Sequence, residues 1–350
     1  MNFDFSDDQK LLRETVRDFL AGECTPDAVR ALWASETGRS RALWKQLAEV
    51  GLPGLLVPEM HEGMGLCEVD FVLLCEEVGR AGLAEPVIAT AAVAAPLLTE
   101  LGGELAARWL KPLAVGEAIV AVGHPVSPFV DDAHVADLLL LARDGELHAV
   151  APADTALVAQ PANDPARRIA SVRWSPRRET RVAAGLAARS LLDAALDRGA
   201  LAAAAQLLGV CDRLIGLAVD YTSQRLQFGV PIGSFQAVKH ALADVKVRLE
   251  YARPLVYRAA DTVARGLPQR PVHVSMAKVA ASEAALRGAR AALQAHGAIG
   301  YTWEQDLHIW MRRAWSLDQT WGIQRFHRRR MAEFALAPDA PLGAGHTFTP

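Results

Sequence analysis

Cysteine is scarce in this 350-residue chain. Cys24, Cys67, Cys75 and Cys211 stand far apart, with no C-x-x-C spacing among them. That pattern suggests neither a disulfide framework nor a zinc site, and three of the four lie within apolar helical patterns suited to buried free thiols. The close His/carboxylate pairs, His61-Glu62 and Asp132/His134, sit in turn-like contexts and are not read as metal sites. An excess of one charge is also missing, with 37 basic against 40 acidic side chains and a net charge of −3. Such a balance offers no global attraction to nucleic acid or an anionic membrane, so a small molecule or another protein is the expected partner. Long apolar runs are absent too. The longest uncharged stretch, Pro86 to Thr99, has 14 residues and two prolines, short of the roughly 20 that a spanning helix needs. The N-terminus carries Asp7 and Asp8 where a secretory signal would carry base, and no apolar segment follows it, so a cytoplasmic protein is expected.

What is present is 51% apolar residues, arranged in zones. The first, 1–115, has a helical period. Ser6 with Gln9 forms a capping-box pattern ahead of Leu12, Val16 and Phe19, and further helices are expected over Arg41 to Val50, Cys67 to Gly79, Val87 to Leu101 and Gly103 to Leu110. From 116 to 184 short apolar runs alternate with Pro125, Pro128, Pro161 and an Asp144-Gly145 turn, which predicts a small antiparallel β domain. Across 185–337 long Ala-rich helical patterns return and read as an antiparallel bundle. The tail, 338–350, with three prolines, reads as loose. The fold class is therefore mainly α with a small middle β domain.

Two strings carry chemistry. In Tyr221-Thr-Ser-Gln-Arg-Leu-Gln-Phe-Gly-Val-Pro-Ile-Gly-Ser-Phe-Gln236 a helix ends near Arg225, a Gly/Pro turn follows, and a new helix begins near Ser234. A guanidinium at one helix end beside the amides of another helix start could hold a phosphate, although an ordinary helix-turn-helix corner would read the same way. In Gln294-Ala-His-Gly-Ala-Ile-Gly-Tyr301 the glycines allow close approach of a ligand or simply cap a helix.

Together these strings, R-x-x-F-G-x-P-I-x-x-F-Q and Q-x-x-G-x-x-G, resemble the acyl-CoA dehydrogenase family. So do Asp4-Phe-Ser-Asp-Asp-Gln-Lys-Leu-Leu-Arg13, Gly51-Leu-Pro-Gly-Leu-Leu-Val-Pro-Glu59 and Glu76-Glu-Val-Gly-Arg80. The resemblance implies an N-terminal helical domain, a middle β domain and a C-terminal four-helix bundle. It also implies FAD-dependent oxidation of an acyl-CoA thioester to the trans-2-enoyl-CoA, with an electron-transfer flavoprotein as acceptor. Arg225 and Phe228 would meet the FAD of a neighbouring subunit, and Phe235, Gln236, Gln294 and Gly297 would also line the flavin site.

The departures from the family pattern matter as much. Its usual base is a Glu in a Tyr-Glu-Gly-Thr string before Ile-Gln-Arg, whereas this chain reads Leu317-Asp-Gln-Thr-Trp-Gly-Ile-Gln-Arg325. Anchored on Ile323, the base position holds Asp318; counted without a gap from Gly300, it holds Trp321. The alternative location, near Gly199-Ala200, has only Asp197 close by, and the middle domain offers Gly123-His-Pro-Val-Ser-Pro-Phe129 in place of the family's Glu-Pro-Gly loop. Short members with a degenerate base resemble subunits of heteromeric acyl-CoA dehydrogenases of bacterial steroid side-chain degradation. Two architectures are thus implied: a homo-oligomer using Asp318, or a heterotetramer in which this chain completes the flavin site of a catalytic partner. The cluster His327-Arg-Arg-Arg330, with Arg325 and Arg312-Arg313 nearby, reads as a solvated helix face or a subunit contact, and the four tryptophans from Trp303 to Trp321 as core and interface packing.

Overall fold

The computed structural model describes residues 4–340 and 343. In chain order it contains α1 (Asp7–Glu23), α2 (Pro26–Ala34), α3 (Arg41–Glu49), α4 (Glu68–Ala81), a π-helical stretch (Val87–Ala94), α5 (Ala95–Leu101) and α6 (Gly103–Ala114). The strands β1 (Val120–Gly123), β2 (Val130–Asp131), β3 (Leu138–Arg143), β4 (Glu146–Val150), β5 (Ala156–Gln160), β6 (Ile169–Arg173) and β7 (Arg181–Ala184) follow. Then come α7 (Gly185–Gln224), the short β8 (Leu226–Gln227) and β9 (Val230–Pro231), α8 (Gln236–Ala264), α9 (Arg270–His296), α10 (Leu307–Gln319) and α11 (Gln324–Ala335). Two compact units emerge, one from residues 4–26, 72–82 and 203–340, the other from 27–71 and 83–202. Of the tail expected to be loose, 341–342 and 344–350 lie outside the described residues.

Local chemistry accounts for most boundaries. Ser6 caps α1 by accepting from the Gln9 amide at 3.2 Å while Gln9 Oε1 accepts from the Ser6 amide at 2.9 Å, the reciprocal capping box. The single helix expected over Val87 to Leu101 is instead a π-helical run followed by α5. Pro96 has no N–H, so the ordinary helical bond cannot form there, and Ala95 N–H reaches back five residues to the Thr90 carbonyl. This wider turn aims Thr90 Oγ1 at the carbonyl of Val120, 3.0 Å away on β1.

The β region holds two sheets, ordered β1-β3-β4-β7 and β2-β6-β5. Asp144 and Gly145 both adopt positive φ, closing the β3–β4 hairpin as the Asp-Gly pair predicts. The antiparallel expectation fails in one place: β1 and β3 run parallel, because the chain between them crosses to the other sheet to make β2. Leu139, Leu141 and Val150 from one sheet meet Val130, Ala170 and Val172 from the other in the core of this region.

In the first unit α8 and α9 pack as long antiparallel neighbours, and α4 crosses α7 backbone to backbone. A Cβ at Gly79 would fall 2.0 Å from the Gln206 carbonyl oxygen, and one at Gly209 would fall 1.8 Å from that of Glu76. Beside this crossing Glu76 and Glu77 are fully buried. Glu76 accepts from Tyr257 at 2.7 Å and from Arg253; Glu77 accepts from Arg13 and Arg17, each at 2.7 Å. The helix α7 is apolar and long enough to cross a membrane by composition, but 67% of that stretch is buried in the protein, as in a core helix.

Candidate functional site

The helix α7 stops where the sequence predicts a break. Arg225 N–H still donates to the Tyr221 carbonyl at 2.9 Å, and the Arg225 carbonyl then accepts from Ile232 at 2.8 Å, folding the chain back. Between them β8 and β9 pair through the two-residue turn Phe228-Gly229, both at positive φ (53° and 79°). A phenylalanine in the left-handed region costs on the order of 1 kcal/mol. Its ring is nonetheless 93% exposed, so little burial within this chain offsets that cost. Phe235, 39% exposed, meets the Phe228 ring edge-on with centroids 6.2 Å apart. Gln236, also exposed, begins α8. Gly233 lets this loop press against α7, where a Cβ would lie 3.1 Å from the Thr222 carbonyl oxygen.

The second string reaches the same end of the bundle. Tyr221 and His296 stack at 4.4 Å and 18°, which brings the C-terminus of α9 beside the start of the hairpin. Gln294 and Gly297 are exposed there, and Gly297, at φ 64°, caps α9. The six residues singled out from these strings are all exposed, and the Tyr221–His296 stack joins the two segments that carry them. Among the described residues Arg225 has no carboxylate partner. An uncommitted guanidinium, two exposed phenyl rings and two carboxamides form a donor set suited to phosphates joined to flat aromatic rings.

The stretch with the two candidate base positions is built differently. Asp318, 7% exposed, sits in the last turn of α10. Its Oδ1 accepts from Gln324 Nε2 at 2.8 Å and its Oδ2 from Gln319 Nε2 at 2.7 Å. Trp321 adopts φ 55° and is 8% exposed, and Gly322 follows at φ 98°. Two buried groups hold this turn: Lys278, which the sequence reading passed over, and His327, which it grouped with the basic cluster and which is instead fully buried. Lys278 Nζ, with no exposed surface, donates to the carbonyls of Leu317 at 2.8 Å and Asp318 at 3.0 Å, satisfying the C-terminus of α10. His327 Nε2–H donates to the Trp321 carbonyl at 3.0 Å, which leaves Nδ1 as an acceptor facing Ser275 Oγ at 3.1 Å. Burial and the Lys278 charge push His327 down to about 3, so the ring is neutral. A lysine on the apolar stripe Val274, Ala277, Ala281 of α9 was the one available sequence signal. Asp197 is buried in the other unit. Of the tryptophans read as core and interface packing, Trp310 and Trp321 are buried, while Trp303 is 64% and Trp315 40% exposed.

Comparison with known proteins follows the same lines. Residues 6–117 match the acyl-CoA dehydrogenase N-terminal domain and residues 189–336 the acyl-CoA dehydrogenase C-terminal domain. The acyl-CoA dehydrogenase IpdE2 of Mycobacterium tuberculosis is 35% identical over 312 residues, covering 88% of this chain and 91% of the relative. Among solved structures, a chain of the ChsE4–ChsE5 complex from M. tuberculosis superposes with a TM-score of 0.87 at 25% identity, over 97% of this chain and 100% of that one. A chain of the Tcur3481–Tcur3483 steroid ACAD gives 0.84 at 25% identity, over 93% and 97%. With matched sequence at both ends of the chain and the same fold along nearly all of it, the protein belongs to the acyl-CoA dehydrogenase family.

Proposed function

We propose that this chain is a subunit of an FAD-dependent acyl-CoA dehydrogenase that converts an acyl-CoA thioester to its trans-2-enoyl-CoA. In this reading it offers the hairpin and the end of α9 to a flavin site completed by a second acyl-CoA dehydrogenase chain. The observation that carries the reading is Phe228, held at positive φ and 93% exposed beside Arg225. A strained, almost wholly exposed aromatic ring is what a site finished by another molecule would leave in one subunit.

The residues fit FAD by their chemistry. Arg225 would take phosphate oxygens through its planar fork, Phe228 and Phe235 would cover a flat ring, and Gln236 and Gln294 would supply amide donors and acceptors. When bound, the flavin would accept the hydride leaving the β-carbon. This chain's part is to bind, orient and exclude water. A carboxylate must take the α-proton. Asp318 has each oxygen engaged by a carboxamide in a buried helix end, and a tryptophan at position 321 cannot act as a base. The proton-abstracting group is accordingly assigned to the partner chain. The relatives in the ChsE4–ChsE5 complex and the Tcur3481–Tcur3483 steroid ACAD support a two-chain assembly and put steroid side-chain acyl-CoAs on the substrate panel. An electron-transfer flavoprotein is the proposed acceptor.

The second reading, a homo-oligomer with Asp318 as base, makes the opposite forecast. The chain is purified alone and co-expressed with a neighbouring dehydrogenase gene product, flavin per polypeptide is counted, and anaerobic bleaching by acyl-CoAs is followed. Flavin retained only in the co-expressed complex, with bleaching undiminished by Asp318→Asn, is the expected result. Near one flavin per chain in the protein alone, with bleaching slowed by orders of magnitude in Asp318→Asn, would instead establish Asp318 as the base.

A further inference from the structure

We propose that the corner between the end of α1, α4, the middle of α7 and Trp310 of α10 is a binding site for a small oxyanion, a phosphate or a short carboxylate. It encloses about 230 Å³, less than the 300–1,000 Å³ typical of drug-sized ligands, so its occupant is small. Three guanidiniums, Arg17, Arg80 and Arg213, line it together with a single carboxylate, Glu77, and an apolar wall that includes Leu20 and Pro26. It shares no residue with the hairpin or the end of α9.

The acceptors already present are oversubscribed. Glu77 serves Arg13 at 2.7 Å, Arg17 at 2.7 Å and Arg80 at 3.2 Å. Although burial opposes it, hydrogen bonds from Arg17 and Arg13 hold the Glu77 carboxyl below its ordinary range. Asp212 takes the other side of Arg80 at 2.5 Å and Lys246 at 3.1 Å. Two donors are left over. Arg213 lies over the Trp310 ring, 4.8 Å from its centroid, and has no carboxylate partner among the described residues. Arg80 Nε is buried and makes no hydrogen bond, since Glu77 lies off the axis of its N–H. Trp310 is fixed beneath Arg213 by its own Nε1–H, which donates to the Arg80 carbonyl at 2.8 Å. Glu14 and Asp18 act on Arg17 but do not line the cavity. A small oxyanion, whether a carboxylate or a phosphate, would satisfy the leftover guanidinium donors without displacing any existing pair.

Titration calorimetry of the protein as purified, with any partner chain it carries, tests this at fixed ionic strength. The probes are inorganic phosphate, succinate and a hexaglutamate peptide, against a chloride blank. Saturable binding of phosphate or succinate at one site per chain is expected, weakened about tenfold or more in Arg213→Gln and partly recovered in Arg213→Lys, with thermal melting unchanged. Which of the two ions binds more tightly identifies the source. No saturable heat above chloride would overturn the proposal, as would equal affinity in Arg213→Gln. Hexaglutamate binding tenfold tighter than both small ions would also overturn it, making the corner a dock for an acidic protein segment.

Discussion

At the scale of single residues, the buried carboxyl of Glu85 sets a pH dependence that no sequence pattern announces. Glu85 is 5% exposed; its Oε1 accepts from the Ser40 amide at 2.9 Å, while Oε2 is buried with no hydrogen-bond partner. Burial pushes the group up to about 7, the nearby Asp132 adds to this, and Arg39 and Arg41 pull the other way. Arg39 does not neutralise it, because that guanidinium is already committed to Asp132 and to the carbonyls of Gly38 and Ala166. The folded state therefore keeps a proton that the unfolded chain releases near pH 4.5. The stability this contributes is full below the unfolded value and is lost as pH rises through about 7, by up to roughly 3 kcal/mol. Glu85→Gln keeps the acceptor for Ser40 and removes the titration. Its stability in denaturant melts should match the parent near pH 4 and exceed it by about 3 kcal/mol at pH 8; a pH-independent difference would refute the assignment. His327 has the opposite sign, since a neutral buried ring contributes stability above pH 6.5 that is lost as pH falls toward 3. The comparison of Glu85→Gln with its parent cancels that background.

At the scale of elements, what could be read in the sequence was local and what could not was the meeting of distant segments. The Ser6-Gln9 cap, the Asp144-Gly145 hairpin and the break after Gln224 each depend on residues a few positions apart, and each forms where the pattern puts it. The parallel β1–β3 pairing depends on a crossover through β2, and the Lys278 and His327 contacts with the α10–α11 turn join different helices. No spacing rule encodes those. The same holds for the candidate site: Arg225 to Gln236 lies in one string, whereas its junction with α9 rests on the Tyr221–His296 stack. The crossing of α4 and α7 is another long-range event, and it depends on two hydrogen atoms in place of two side chains. Gly209→Ala would drive a methyl group into the Glu76 carbonyl and is expected to cost about 3 kcal/mol, the upper part of the range for overpacking. Gly216, on the same helix, has nothing within 4 Å of the place a methyl group would take, so Gly216→Ala should stabilise by about 0.5–1 kcal/mol through helix propensity alone. Paired thermal melts decide the matter: two substitutions of the same kind with the same sign would contradict the close crossing.

At the scale of the whole molecule, the surface of the first unit exposes Leu226, Phe228, Tyr301 and Trp303 at 58%, 93%, 79% and 64%. Exposed apolar and aromatic groups on the strings proposed to hold the flavin and just beyond them are a reason to expect a protein partner, since interfaces are enriched in aromatic residues. Phe228 lets the two demands on that surface be separated. If its ring served only the stability of this chain, removing it would destabilise the chain. The structure argues otherwise, because the ring is almost wholly exposed and its backbone sits where glycine is favoured. Phe228→Gly should therefore leave the apo protein as stable as the parent or more so, by up to about 1 kcal/mol. In the assembled complex the same substitution removes the ring proposed to cover the flavin. Flavin retained after gel filtration should then fall, with the dissociation constant rising about tenfold, the value of one lost aromatic contact of roughly 1.4 kcal/mol. Opposite movements of stability and flavin affinity would tie the strained turn to the shared site. A parallel loss of both would make Phe228 an ordinary structural residue, and unchanged flavin affinity would remove the hairpin from the site.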